Sequence, residues 1–181
     1  IASSNDLIDE RVKLENLLHR KKYDPVVWEN IDHSITQEKF QDKINNNHLI
    51  TSDIVIFMVK SKLGEFTQEE FEVAYKNLGK NIKKMYVYFI DYDKNLMEKK
   101  ERRKIDRLQE FLEDNGDLYE EVKDYTHLEN HFLKQKEFIN NSKTDDFENI
   151  QVEPEKKNIK VIPQICIYTA SPLNNSIDYK L

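Results

Sequence analysis

Six apolar residues, Ile54-Val55-Ile56-Phe57-Met58-Val59, follow one another without a polar residue between them. A strand with one wet face alternates apolar and polar side chains. A β-branched and aromatic run that does not alternate suits a strand covered on both faces, as in a parallel sheet between helix layers. Ser52-Asp53 precedes the run and a short loop, Lys60 to Phe66, follows it. A helical pattern then spans Thr67 to Leu78, with Glu69, Glu70 and Glu72 in or near its first turn. The loop therefore leaves the carboxyl end of a central strand, where open α/β sheets bind ligands.

The rest of the chain repeats this alternation. Asn5 to Arg20 reads as a helix with Leu7, Ile8, Val12, Leu14, Leu17 and Leu18 near a 3.6-residue period. Tyr23 to Glu29 is a strand, Thr36 to Asn47 a helix whose Asn-rich end frays, and Lys84 to Asp91 a strand rich in aromatics. Asn95 to Asn115 is a long charged helix with a stripe of Ile105, Leu108, Phe111 and Leu112. Gly79 and Gly116 stand where two helices stop. Leu118 to Tyr125 has strand character, and Thr126 opens a last helix to Asn140 through the capping-box pattern Thr126-x-x-Glu129. Strands and helices in this order build βαβ units, so the expected fold is α/β with a parallel sheet and helices on both sides. Ile1-Ala2-Ser3-Ser4 reads as the exit of a strand, which predicts a piece of a longer protein and a five-stranded sheet if the first strand lies upstream. Three regions are expected: a domain over 1–140, a polar linker over 141–158, and 159–181 as the start of a second module or a C-terminal extension. The last rests on the new apolar run Val161 to Tyr168.

Composition narrows the function classes. A single cysteine, Cys166, leaves no internal disulfide framework and no cysteine zinc site, which with no secretory signal points to a reducing, cytoplasmic compartment. No apolar run approaches the roughly 20 residues that span a bilayer. The net charge of −6 speaks against nucleic-acid binding by this segment. No Gly-rich phosphate loop of the P-loop or Rossmann pattern is present, so an ATPase reading has no support.

The order of elements resembles a Toll/interleukin-1 receptor (TIR) domain, in particular the divergent bacterial TIR-like domains of multidomain immune and anti-phage proteins. Four features carry the resemblance: Ile1-Ala2-Ser3-Ser4 leaving a first strand, Trp28-Glu29 ending the second, Ser52-Asp53-Ile54-Val55-Ile56 opening the third, and Glu70-Phe71-Glu72-Val73-Ala74 on the next helix. It covers about residues 1–140 and implies a flavodoxin-like three-layer fold with a central, mostly parallel five-stranded sheet. Many TIR domains hydrolyse NAD⁺, some to cyclic ADP-ribose isomers, and the resemblance places the catalytic carboxylate at Glu70. Ser61 stands in place of the family's loop serine, while Leu63-Gly64-Glu65-Phe66 replaces the rest of the Ser-Trp-Cys segment. It further implies NAD⁺ or a related nucleotide as substrate with no cofactor, self-association through this domain, and additional domains in the parent chain. The same α/β plan also resembles nucleoside deoxyribosyltransferases, which set a Glu against a different N-glycosidic bond.

Each candidate has a structural alternative. Cleavage of the nicotinamide–ribose bond releases an already cationic leaving group, so the reaction needs a carboxylate to stabilise positive charge and requires neither a strong acid nor a metal. Glu70 suits that role, yet Thr67-Gln68-Glu69-Glu70 is also a capping box in which Glu70 reaches back to the Thr67 N–H. Glu69 and Glu72 stand in reserve. Trp28 can stack on a nicotinamide or adenine ring or be buried at a strand end. Ser3 and Ser4 can donate to a diphosphate or cap the first helix. The resemblance adds Glu29 and Ser61 to the nucleotide-binding candidates; Glu29, with Asp32 and His33, lies in the loop after the second strand, which in TIR domains moves and mediates assembly and which also reads as a solvated polar loop. His127 and His131, four apart on a helix, read as a surface pair, and Lys99 to Lys104 as a solvated face.

Overall fold

The computed structural model describes residues 7–27, 30–31, 40–91, 93, 95, 97–141 and 164–169. In chain order the elements are α1 (Ile8–Arg20), β1 (Asp24–Val26), α2 (Phe40–Ile44), a π-helical turn (Asn45–Leu49), β2 (Ile54–Val59), α3 (Glu65–Asn77), β3 (Lys84–Ile90), α4 (Lys99–Asp114), β4 (Glu120–Val122), α5 (Tyr125–Asn141) and β5 (Gln164–Thr169). Among the described residues five strands pair in the order β1-β5-β2-β3-β4, and each of these pairings is parallel. This is the flavodoxin-like three-layer arrangement.

The unbroken apolar run of β2 sits at the middle of that sheet, and all six of its residues are buried. Its side chains divide by parity. Val55, Phe57 and Val59 enter a core with Phe71 and Ala74 of α3 and Ile105, Leu108 and Leu112 of α4. Ile54, Ile56 and Met58 enter the other core with Leu14, Leu17 and Leu18 of α1 and Leu128 and Phe132 of α5.

The fifth strand comes from the C-terminal apolar run. Residues 159–181 are expected to begin a second module or an extension; of these, Gln164–Thr169 pairs within this sheet, between β1 and β2. Its sequence fits a slot closed on both faces: Ile165 and Ile167 enter the α1/α5 core, and Cys166 enters the opposite one. Asp53 pins the amino end. Its backbone N–H donates to the Gln164 carbonyl at 3.1 Å, and its carboxylate accepts from the Gln164 N–H at 3.2 Å and pairs with Lys83 at 2.9 Å.

Three expectations about helices are corrected. In α1 the buried stripe is Leu7, Arg11, Leu14 and Leu18, with Leu17 beside it, while Ile8 and Val12 are 42% and 48% exposed. Spacings of four, three and four residues define the inward face, and a charged residue stands in it. The start of α5 is capped by Asp124, whose carboxylate accepts from the His127 N–H at 2.8 Å, so the helix begins before Thr126. The Asn-rich segment after α2 forms a π-helical turn that buries Asn45 and does not fray. Gly79 and Gly116 follow the ends of α3 and α4 at φ +77° and +74°, the left-handed conformation that favours glycine.

Candidate functional site

The carboxyl end of β2 leads through Lys60–Gly64 into α3, and the candidate carboxylate lies on that helix. α3 begins at Glu65, with Gly64 as its extended N-cap, two residues earlier than the spacing predicts. This changes the reading of Glu70. Thr67 lies inside the first turn and Glu70 in the second, so Thr67-x-x-Glu70 is not a capping box at the helix start.

Glu70 instead faces α2 and the π-helical turn. Its side chain is fully buried, and its Oε1 accepts from Gln41 Nε2 at 2.8 Å. Asn45 extends the arrangement: its Nδ2 donates to Glu69 Oε1 at 3.2 Å, and its Oδ1 accepts from Gln41 Nε2 at 3.4 Å. Burial pushes the Glu70 carboxyl above its ordinary range; the Gln41 hydrogen bond opposes this, and the neighbouring Glu69 charge adds to it. A carboxylate taken out of water binds a positive centre more strongly than an exposed one, because the surroundings screen it less.

The loop beside it is braced from α4. Glu101 Oε2 accepts from the Leu63 N–H at 3.0 Å, Lys104 Nζ donates to the Leu63 carbonyl at 3.1 Å, and the two side chains pair at 2.9 Å. From the charged face of α4, expected to be solvated, Glu101 and Lys104 thus fix the end of the β2–α3 loop. Ser61 is half-buried in that loop. At the same edge Lys60 pairs with Asp91 at 3.4 Å, and Asp91 adopts φ +47° where β3 ends.

Ser61 and Glu70 are thus carried by one loop and the helix that follows it. Of the reserve carboxylates, Glu69 is exposed and tied to Asn45, and Glu72 is exposed on the side of α3 that faces α4. Ser3, Ser4, Trp28, Glu29, Asp32 and His33 lie outside the described residues. His127 and His131 both approach Glu120, at 4.0 and 3.6 Å, and no group of three or more His, Cys, Asp or Glu among the described residues is placed to hold a metal ion. Among the described residues no helix is long and apolar enough to cross a membrane.

Sequence reasoning missed Gln41 and Asn45. Their spacing of four on one helix face was visible, but nothing local marks a polar pair as the partner of carboxylates 24 and 29 residues away. The π-helical turn that aims Asn45 is a form that recurs at functional sites.

A family model described as "Domain of unknown function (DUF4062)" matches residues 1–137. The chain belongs to this family. The matched region runs from the start of the chain through most of α5, so the family's domain includes Glu70, Gln41 and four of the five strands, and β5 lies beyond it. No curated protein and no solved structure matches the chain.

Proposed function

We propose that this DUF4062 domain is a TIR-like effector of a multidomain bacterial immune protein that hydrolyses NAD⁺ to nicotinamide and ADP-ribose, or a cyclic variant, when copies assemble. The observation that carries the reading is the buried carboxylate of Glu70, which lies on the helix that follows the central strand and is held by Gln41 of α2. As the nicotinamide–ribose bond lengthens, positive charge moves from the leaving ring to the ribose carbon. A fixed carboxylate in a water-poor site stabilises that charge without having to reorganise. Gln41 orients the carboxylate, and the braced Leu63 loop keeps Ser61 at the same edge for the ribose or diphosphate. In this reading Ser3, Ser4, Trp28 and Glu29 complete the nucleotide contacts.

Glu70 is closed off from solvent, so the reaction requires the site to open, and the proposal couples that opening to self-association. Activity per molecule then rises with protein concentration. The same burial favours a second reading, in which Glu70 and Gln41 only join α3 to α2 and the domain is a non-catalytic self-association scaffold. Nicotinamide release from NAD⁺ by concentrated protein, compared with Glu70→Gln, decides between them. The enzyme reading expects release that falls at least about 100-fold in the variant. Absence of release from the assembled wild type supports the scaffold. Cleavage of deoxynucleosides in place of NAD⁺ assigns the domain to deoxyribosyltransferase-like chemistry.

A further inference from the structure

The outer edge of the sheet contains a gap. β4 pairs with β3 only from Tyr88 to Ile90, so among the described residues Lys84–Val87 has no strand on that side. The ends of α3 and α4 and the middle of α5 close around the bare edge without filling it. They leave a cavity of about 450 Å³, within the size range of small-molecule sites. It lies along the amino-terminal half of β3, away from the carboxyl edge that carries Glu70.

The lining combines apolar, aromatic and acidic side chains. Tyr75, Tyr86, Tyr88 and Tyr119 contribute rings, Asp117 and Glu120 contribute carboxylates, and none of the described lining residues is Lys or Arg. Three of the four rings are held in place through their hydroxyls. Tyr75 donates to Asp117 Oδ2 at 2.6 Å, Tyr119 to Glu113 Oε1 at 2.6 Å, and the Tyr88 hydroxyl lies 3.2 Å from His131 Nδ1. His131 Nε2 in turn stands 3.6 Å from Glu120. Aromatic faces carry the negative end of the ring quadrupole, and several of them around one hollow bind a cation that has shed its water. Two carboxylates at the same hollow, with no Lys or Arg among the described lining residues and His131 standing beside Glu120 alone, add attraction of the same sign and disfavour anions such as phosphate.

We propose that this cavity binds a small organic cation of the alkylammonium class, independently of the chemistry at Glu70. Three of the four tyrosine hydroxyls, those of Tyr75, Tyr88 and Tyr119, are already committed to protein partners, so the aromatic carbon surface of the hollow is its main offer to a ligand, which suits a cation with little hydrogen-bonding capacity of its own.

Calorimetric titration of the full chain with choline, set against its neutral carbon isostere 3,3-dimethylbutan-1-ol, tests this directly. Choline is expected to bind about tenfold or more tightly than the isostere, the scale of a desolvated cation–π contact. Tyr86→Leu and Glu120→Gln are each expected to weaken choline several-fold and to leave the isostere unchanged. Glu120 is partly exposed, so its variant keeps the test open if Tyr86→Leu fails to fold. Equal affinity for the two compounds, no binding of choline, or choline binding indifferent to Glu120→Gln would each overturn the proposal.

Discussion

Burial raises the pKa of Glu70, with the Gln41 amide pulling the other way, and this sets the sign of a stability effect. A carboxyl whose folded-state pKa exceeds its unfolded value favours the fold while it is protonated. That contribution is complete below the unfolded value, about 4.3, and is lost as pH rises through the folded value. Glu70→Gln cannot ionise, so its melting temperature is expected to exceed that of the wild type at pH 7, with the gap closing as pH falls through the raised folded value and gone by about 4.3. Thermal melts across that window check this; a gap that is constant, or that reverses, contradicts it. Gln41→Leu strips a donor from a buried carboxylate and is expected to destabilise by about 1–3 kcal/mol, most of it recovered when Glu70→Gln is added. Chemical denaturation of the two single variants and the double variant measures the coupling. At this scale the sequence was only partly legible. Glu70 stood out by its place after β2, but its partner depends on how α2 packs. Arg11 is 1% exposed in a stripe that its neighbours' apolar spacing had assigned to Ile8 and Val12, because a charge on a helix reads as its wet face until the packing is known.

The elements were easier to read where a segment decides its own environment. The unbroken apolar run of β2, the aromatic β3 and the glycines after α3 and α4 are each local signals, and each falls where expected. Gly79→Ala forces an alanine into the left-handed region and is expected to destabilise by about 1–2 kcal/mol, although no atom lies within 4 Å of the added methyl position. Urea denaturation measures that loss, and an unchanged midpoint would contradict the assignment. Helix starts were misplaced where the capping residue lies outside the expected motif, Gly64 for α3 and Asp124 for α5. The position of β5 was not legible, since an apolar run says that it wants two covered faces and not which sheet supplies them. Cys166 reports on it directly. The thiol is fully buried between β1 and β2, so the native protein is expected to resist a thiol reagent that reacts at once with the unfolded chain. Prompt stoichiometric labelling under native conditions would place the strand outside the sheet. Ile165→Ala, by emptying a fully buried site, is expected to lose about 2–5 kcal/mol.

At the scale of the whole molecule, strand and helix alternation fixed the class: helices on both faces of a parallel sheet, with α1 and α5 on one side and α3 and α4 on the other. Such a sheet concentrates loops at its carboxyl edge, and Lys60, Ser61 and Asp91 lie there beside the helix that carries Glu70. Fold alone does not choose a reaction on such an edge. The choice rests on whether a carboxylate enclosed by α2 and α3 meets a developing positive charge. Nicotinamide released from NAD⁺, quantified by chromatography for the wild type and Glu70→Gln at matched high concentration, tests that most directly. Turnover is expected to rise with wild-type concentration and to drop at least about 100-fold in a variant that remains folded; equal release by the two proteins, or none by the assembled wild type, would contradict a catalytic role for Glu70.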